Sequence, residues 1–449
     1  MLNEYFGLSE KQTTLKIEIV AGLTTFLTMA YIVFVNPSIL SLEGLELTDI
    51  ERMDKQALIA VTCLVSGLAT IAVGVFAKAP IAMAPGMGLN AYFAYLVSSG
   101  KMDWPTALGA VFLSGLFFLL LTLLGLRKRL VAAIPESLIS AIAVGIGLFI
   151  TFMGLVKLGI VVADPHTLVT AGPLSSTVLI ALLGLLVMVF SEIKKIKGGL
   201  IIGILVSTLL SIAFGKIEMP ERFVSLDMNL RAISLRLDIL GALKWSFAGS
   251  IFTLMFIDMF DSVGTLVACC HQADMVDKDN RIEGLDRLLG IDAVATMIGA
   301  LFGTSTTTAY MESAAGIEEG GRTGLTAVIT GILFLLTVLF VPVVGIVPGY
   351  ATAPALIMVG LFMMKEVKRI DFSNMEEAFP AFIIMVMIAL SYSISTGLAF
   401  GFVSFTLIKV VSGKATEIKP AMWMIALMSV LFLTLDQLPG LIEHLRSPG

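Results

Sequence analysis

The chain has 449 residues, of which 57% are hydrophobic and 14% charged, with a mean hydropathy of +0.97 and a net charge of −5. A soluble domain holds about 45–50% apolar and about 25% charged residues, so this composition excludes a water-soluble core and shell. No basic run is long enough for a nucleic-acid site, and apolar stretches of the length that crosses about 30 Å of hydrocarbon indicate a polytopic all-α membrane protein.

The chain opens on MLNEYFGLSEKQTTLKIE, which is amphipathic and polar. It lacks a short apolar core followed by a small-residue cleavage site, so residues 1–17 read as an N-terminal surface helix and not as a signal peptide. Hydrophobic segments then follow at roughly 18–40, 56–77, 80–98, 105–126, 130–156, 175–191, 197–214, 241–270, 288–303, 304–318, 322–345, 350–366, 378–392, 395–412 and 421–437. Several are too short to cross alone, which brings the expected number of spans to about 14. The first span carries Thr24, Thr25 and Thr28, whose hydroxyls either bond the carbonyls one turn back or line a pocket. The third, APIAMAPGMGLNAYFAY, is interrupted by Gly and Pro.

Basic residues gather after even-numbered segments: Arg127, Lys128 and Arg129; Lys194, Lys195 and Lys197; Lys278, Arg281 and Arg287; Lys365, Lys368 and Arg369. The positive-inside rule makes that side, and the N-terminus, cytoplasmic. The eighth segment holds Asp258 and Asp261 in LMFIDMFDSVGTL. Asp292 opens the ninth and is expected near an interface, without a role in a site. The tenth is GTSTTTAYMESAAG (303–316), where a run of hydroxyls precedes Glu312. The cysteines Cys63, Cys269 and Cys270 make no disulfide framework, and His166, His271 and His444 have no metal-ligand spacing, so neither metal nor cofactor is expected.

The chain repeats itself. LGAVFLSGLFFLL (108–120) resembles GLTAVITGILFLL (324–336), IPESLISAIAVGIGLF (134–149) resembles VPGYATAPALIMVGLF (347–362), and NAY (90–92) falls over TAY (308–310). Halves of seven spans each place the second half upside down, an arrangement found in secondary transporters. Their substrate sites lie at mid-membrane, where interrupted helices from the two halves meet. Here the interrupted segments are 79–95 and 303–316.

Carboxylates inside apolar segments are costly and mark function by default. Asp258 and Asp261 lie three apart, on one face of a helix, where one of two neighbouring carboxylates can hold a proton. The hydroxyls before Glu312 are poor in a helix interior and good at a cap. They predict a short extended approach and a half-helix beginning near Tyr310, with free N–H groups facing the membrane centre. The stretch Gly86–Tyr92 is expected to do the same from the other side. Enzyme motifs are absent: no zinc motif, no GxSxG and no paired Ser/His.

AGLTTFLTMAYIVFVNP, PGMGLNAYFAY, FIDMFDSVGTL and GTSTTTAYMESAAGI resemble the azaguanine-type purine permeases (adenine/guanine/hypoxanthine permeases) of the nucleobase–cation symporter-2 family, over about residues 1–440. The resemblance implies two inverted seven-span repeats, with short strands and half-helices at spans three and ten. It implies a core domain from 18–126 and 241–345 and a gate domain from 127–240 and 346–449. It further implies proton-coupled import of adenine, guanine or hypoxanthine by alternating access across the cell (inner) membrane, and dimers formed through the gate domain. The family's acids fall on Asp261 and Glu312, and its span-three position falls on Asn90, with Ala91 and Tyr92 beside it. Tyr310 and Met311 flank Glu312 as further substrate contacts, and Tyr92 or Tyr310 could stack on the ring. Thr265 stands where the uracil-type branch has a histidine, so the proton falls to Asp261, Asp258 or Glu312. Thr25, Thr28 and Thr308 are candidates for lining the pocket. The alternative reading is an anion or other small-solute transporter of the same architecture.

Overall fold

The computed structural model describes residues 2–43, 51–125, 134–220, 222–225, 228–276, 282 and 284–446. The basic residues Arg127, Lys128, Arg129, Lys278 and Arg281, used above for orientation, lie outside the described residues.

The expected surface helix is reduced to a short one, Leu2–Phe6, whose Phe6 packs with Leu8 against Leu325. The first membrane helix already begins at Leu15, because the Thr14 side chain caps it by accepting from the Ile17 N–H. It runs to Met29, and a second helix, Ile32–Leu40, continues the span. Between them the turn tightens, with Val33 N–H bonding Ala30 O and Phe34 N–H bonding Tyr31 O. The span expected as one helix is therefore two pieces with Tyr31 at the joint.

Every other expected segment has its counterpart. In the first half these are Lys55–Ala72 extended by a π turn to Ala77, the strand Met83–Pro85 with the helix Met87–Ser98, then Trp104–Leu123, Glu136–Leu158, Ser176–Ile193 and Gly199–Ala213. The second half repeats the order: Ala248–Gln272, Leu285–Phe302, the strand Thr307–Ala309 with the helix Ser313–Glu318, then Gly324–Thr337 continued to Gly345, Gly349–Met363, Met375–Leu390 and Ile394–Val411. A last helix, Pro420–Arg446, follows the second half. Among the described residues, nine helices are long and apolar enough to cross a membrane. Among the described residues the remaining sheet is a short antiparallel hairpin, Val161–Asp164 with Leu168–Ala171.

By its contacts the chain divides into two compact units, Met1–Thr122 with Phe152–Met358, and Leu123–Thr151 with Val359–Gly449. In the first, helices from the two halves pack through glycine. A Cβ on Gly67 would come within 2.9 Å of Gly331 O, and one on Gly74 would meet Val328 and the Gly324 carbonyl. The two helices run antiparallel at backbone contact, the small-residue packing that replaces a hydrophobic driving force in lipid. Glu18, fully buried on the first helix, accepts from the backbone N–H groups of Arg322 and Thr326 and from the Thr326 hydroxyl at 2.5 Å, and so caps the helix Gly324–Thr337. In the second unit, Gly397 and Gly401 let Ile388 and Ile384 seat against the helix Ile394–Val411. Phe149 meets Tyr392 edge-on at 4.9 Å, and Glu376 pairs with Lys409 and Lys414.

Candidate functional site

The site grows out of the two strands. Met83, Ala84 and Pro85 pair antiparallel with Ala309, Thr308 and Thr307. Tyr310 N–H to Ala82 O and Gly86 N–H to Thr306 O extend the ladder at both ends. Non-helical backbone at this depth needs every polar group satisfied from within. Side chains supply what two short strands cannot. Thr70 Oγ1 accepts from Met83 N–H and donates to Met83 O, Ser313 Oγ accepts from Ala82 N–H, and Thr296 Oγ1 accepts from Thr307 N–H while bonding Thr307 O.

The hydroxyl run therefore builds structure. Asn36 Nδ2 donates to Thr304 Oγ1 and Thr62 Oγ1, Ser305 Oγ bonds Asn90 Oδ1, and Thr308 Oγ1 meets Ser262 Oγ at 2.8 Å. Gly303, at φ +100°, ends the helix Leu285–Phe302 in a conformation suited to glycine and turns the chain into this run. The half-helix begins at Ser313, not near Tyr310. Ser313, Ala314 and Ala315 N–H bond back three residues to Tyr310, Met311 and Glu312 carbonyls, so a tight turn intervenes and holds Glu312. The first half-helix starts directly after Gly86. The match of NAY with TAY consequently does not mark equivalent positions, since Thr308 is in a strand and Asn90 is one turn inside a helix.

Two carboxylates converge. Asp261, partly exposed on the helix Ala248–Gln272, lies within electrostatic reach of Glu312. A Cβ added to Gly86 would stand 3.7 Å from Asp261 Oδ2, so this acid sits at the start of the first half-helix, where free N–H groups and the helix dipole favour a negative group. Glu312 is also partly exposed, and its Oε1 accepts from the Tyr31 hydroxyl at 2.6 Å. Tyr310 is buried near both acids, with its hydroxyl bound to Pro85 O at 2.6 Å. That bond ties one strand to the other. Met311 beside it is about half exposed.

The remaining candidates are more enclosed. Asp258 is fully buried and accepts from Thr296 Oγ1 at 3.5 Å. Asn90 is buried with its Oδ1 on Ser305 and its Nδ2 without a protein partner. Ala91 and Tyr92 are buried, Tyr92 stacking on Tyr95 with ring centroids 6.2 Å apart. Thr28 Oγ1 bonds the Thr24 and Thr25 carbonyls and reaches Glu312 O at 3.4 Å. Thr25 is buried where the second half-helix packs at Gly316. Thr265, in the place of the histidine, is buried too.

Sequence reasoning missed Tyr31, whose only local signal is a lone tyrosine in a span that breaks beside it. It also misplaced Asp292. This residue is fully buried midway along Leu285–Phe302, and accepts from Ser262 Oγ at 2.6 Å. The helix begins at Leu285, three residues earlier than the hydropathy start, so Asp292 lies midway along it and reaches the strand through Ser262 and Thr308. No group of three or more potential metal ligands occurs among the described residues.

Residues 16–400 match the sequence profile of a family described as a permease family. The adenine permease AdeP of Escherichia coli (strain K12) is 40% identical over 433 residues, covering 96% of this chain and 95% of that protein. The guanine/hypoxanthine permease PbuG of Bacillus subtilis (strain 168) is 40% identical over 438 residues, covering 96% and 99%. Among solved structures, the transmembrane domain of the cyanobacterial bicarbonate transporter BicA superposes with a TM-score of 0.65 at 17% identity, over 85% of this chain and 97% of that one. That likeness concerns the fold alone.

Proposed function

The chain belongs to the permease family, on the branch of the adenine and guanine/hypoxanthine permeases, and on that premise we propose that it imports purine nucleobases coupled to protons. The observation that carries the reading is the convergence of Asp261 and Glu312 beside the two-stranded ladder. A carboxylate accepts N–H hydrogens of a base edge, in pairs where two lie side by side. Half-helix N–H groups and the Asn90 amide complete the pocket, and the exposed Met311 supplies an apolar wall. Asp261, with Asp258 buried one turn away, carries the coupled proton. Spans from 18–126 and 241–345 act as the core that moves against a gate from 127–240 and 346–449, and copies pair through the gate. The protein sits in the cell membrane with its N-terminus in the cytoplasm.

An anion carrier of the same fold is disfavoured by two acids at the site, which repel a negative cargo. The test is uptake of radiolabelled adenine, guanine and hypoxanthine by cells lacking their own purine permeases, with and without a protonophore. Purine uptake that collapses with the proton gradient is the expected result. Sulfate or bicarbonate uptake without purine uptake would refute the cargo, and purine uptake indifferent to protonophore and pH would refute the coupling.

A further inference from the structure

We propose that Tyr31 is a positioning residue that makes this site selective for 6-oxopurines over adenine, by holding Glu312 as a hydrogen-bond acceptor. The inference rests on the purine-import reading. Tyr31 is 1% exposed at the joint between the helices Leu15–Met29 and Ile32–Leu40, so its ring is clamped and its hydroxyl has a fixed direction. That hydroxyl meets Glu312 Oε1 at 2.6 Å. That bond is donated to the carboxylate, whose two oxygens offer about four lone-pair sites, so most of its acceptor capacity stays open. The rotamer is set from one side, and the partly exposed remainder of the group is presented as an acceptor.

An acceptor at this position discriminates among purines by elementary chemistry. Hypoxanthine and guanine carry a hydrogen on N1, and guanine adds an amine at C2, so both offer donors to a carboxylate. Adenine has a lone pair at N1, which faces an acceptor unfavourably. A site built to accept a substrate N–H rejects an analogue lacking it far more strongly than an apolar pocket rejects a change of shape, because the buried acceptor is left unpaired. Methylation at N1 of hypoxanthine removes the same hydrogen while keeping the 6-oxo group.

The experiment is equilibrium binding of hypoxanthine, guanine, adenine and 1-methylhypoxanthine to the purified full-length protein and to Tyr31→Phe. For the wild type, hypoxanthine and guanine should bind about tenfold or more tighter than adenine and 1-methylhypoxanthine. In Tyr31→Phe the hypoxanthine-to-adenine ratio should fall toward one. Equal wild-type binding of hypoxanthine and either poor analogue overturns the proposal, and this holds even where Tyr31→Phe does not fold. A variant that weakens every purine by the same factor also overturns it, since a merely structural tyrosine would do that. Folded wild type that binds none of the four refutes the purine reading itself, an outcome distinct from bound purines without selectivity.

Discussion

Ala84 stands opposite Thr308 in a three-residue antiparallel ladder that joins the two halves of the chain. Beside that pair the backbones come so close that a Cβ on Gly86 would lie 2.7 Å from Thr308 Cγ2. Thr308 cannot yield, because its hydroxyl is bound to Ser262. Gly86→Ala should therefore force the strands apart at a cost of about 1–3 kcal/mol, as overpacking does. Thermal unfolding of the purified variant should shift down, and purine uptake should fall with it. Unchanged stability would mean that the strands have room the distances do not show.

Glu312→Gln keeps the size of the side chain and one oxygen to accept from Tyr31. It replaces the other oxygen by an amide that donates. Hydrogen bonds to charged groups contribute about 1.5–3 kcal/mol, so hypoxanthine affinity should drop about tenfold or more while thermal stability changes little. Calorimetric titration checks this, and retained affinity would take Glu312 out of the substrate's reach.

Asp292 is the buried acceptor behind Ser262, and Ser262 in turn meets Thr308 on the strand. Asp292→Asn can still accept the serine hydrogen through its amide oxygen. Asp292→Leu cannot, and it takes the charged acceptor from the Ser262 hydroxyl, which keeps Thr308 alone as partner, at a cost of about 1–3 kcal/mol. The leucine variant should therefore lose more stability and more uptake than the asparagine variant. Equal loss in both would assign the role to the charge and not to the hydrogen bond.

Lys157 joins three helix ends. Its Nζ donates to Ser38 O at 2.7 Å and Ser38 Oγ at 2.6 Å, while Ser38 Oγ reaches Glu43 and Thr352. Lys55 closes the group through Glu43 and Val347 O. Lys157→Met preserves bulk and removes both bonds, so it should lower stability by about 1–3 kcal/mol. A melting temperature equal to the wild type's would show that water replaces the lysine at no loss.

Much of this architecture was legible in one dimension. The segments between residues 55 and 123 emerged within a few residues of their expected limits, because an unbroken apolar run of helical length has few other solutions. The interrupted segments at 79–95 and 303–316 were legible for the opposite reason: Gly, Pro and clustered hydroxyls do not belong in a membrane helix interior. Asp261 and Glu312 announced themselves by the cost of an acid in lipid. The break at Tyr31 was not visible, since its immediate neighbours, Met29 and Ala30 before it and Ile32, Val33, Phe34 and Val35 after it, are all apolar. Asp292 was misread because hydropathy placed the helix start too late. The half-helix start slipped from Tyr310 to Ser313 because the turn that holds Glu312 looks, in composition, like the first turn of a helix.

The sequence by itself determined that the chain crosses a membrane many times, that its halves repeat, and which acids are costly enough to matter. Those are properties of composition and spacing along the chain. Only the tertiary structure decided what meets those acids. Tyr31 and Glu312 are 281 residues apart, and Asn90 turns to Ser305 across 215. Hydrogen bonds of such range have no local period or propensity. They exist because two short strands, one from each half, find each other where water cannot satisfy their backbones, and that pairing brings the neighbouring helices and their side chains into one place.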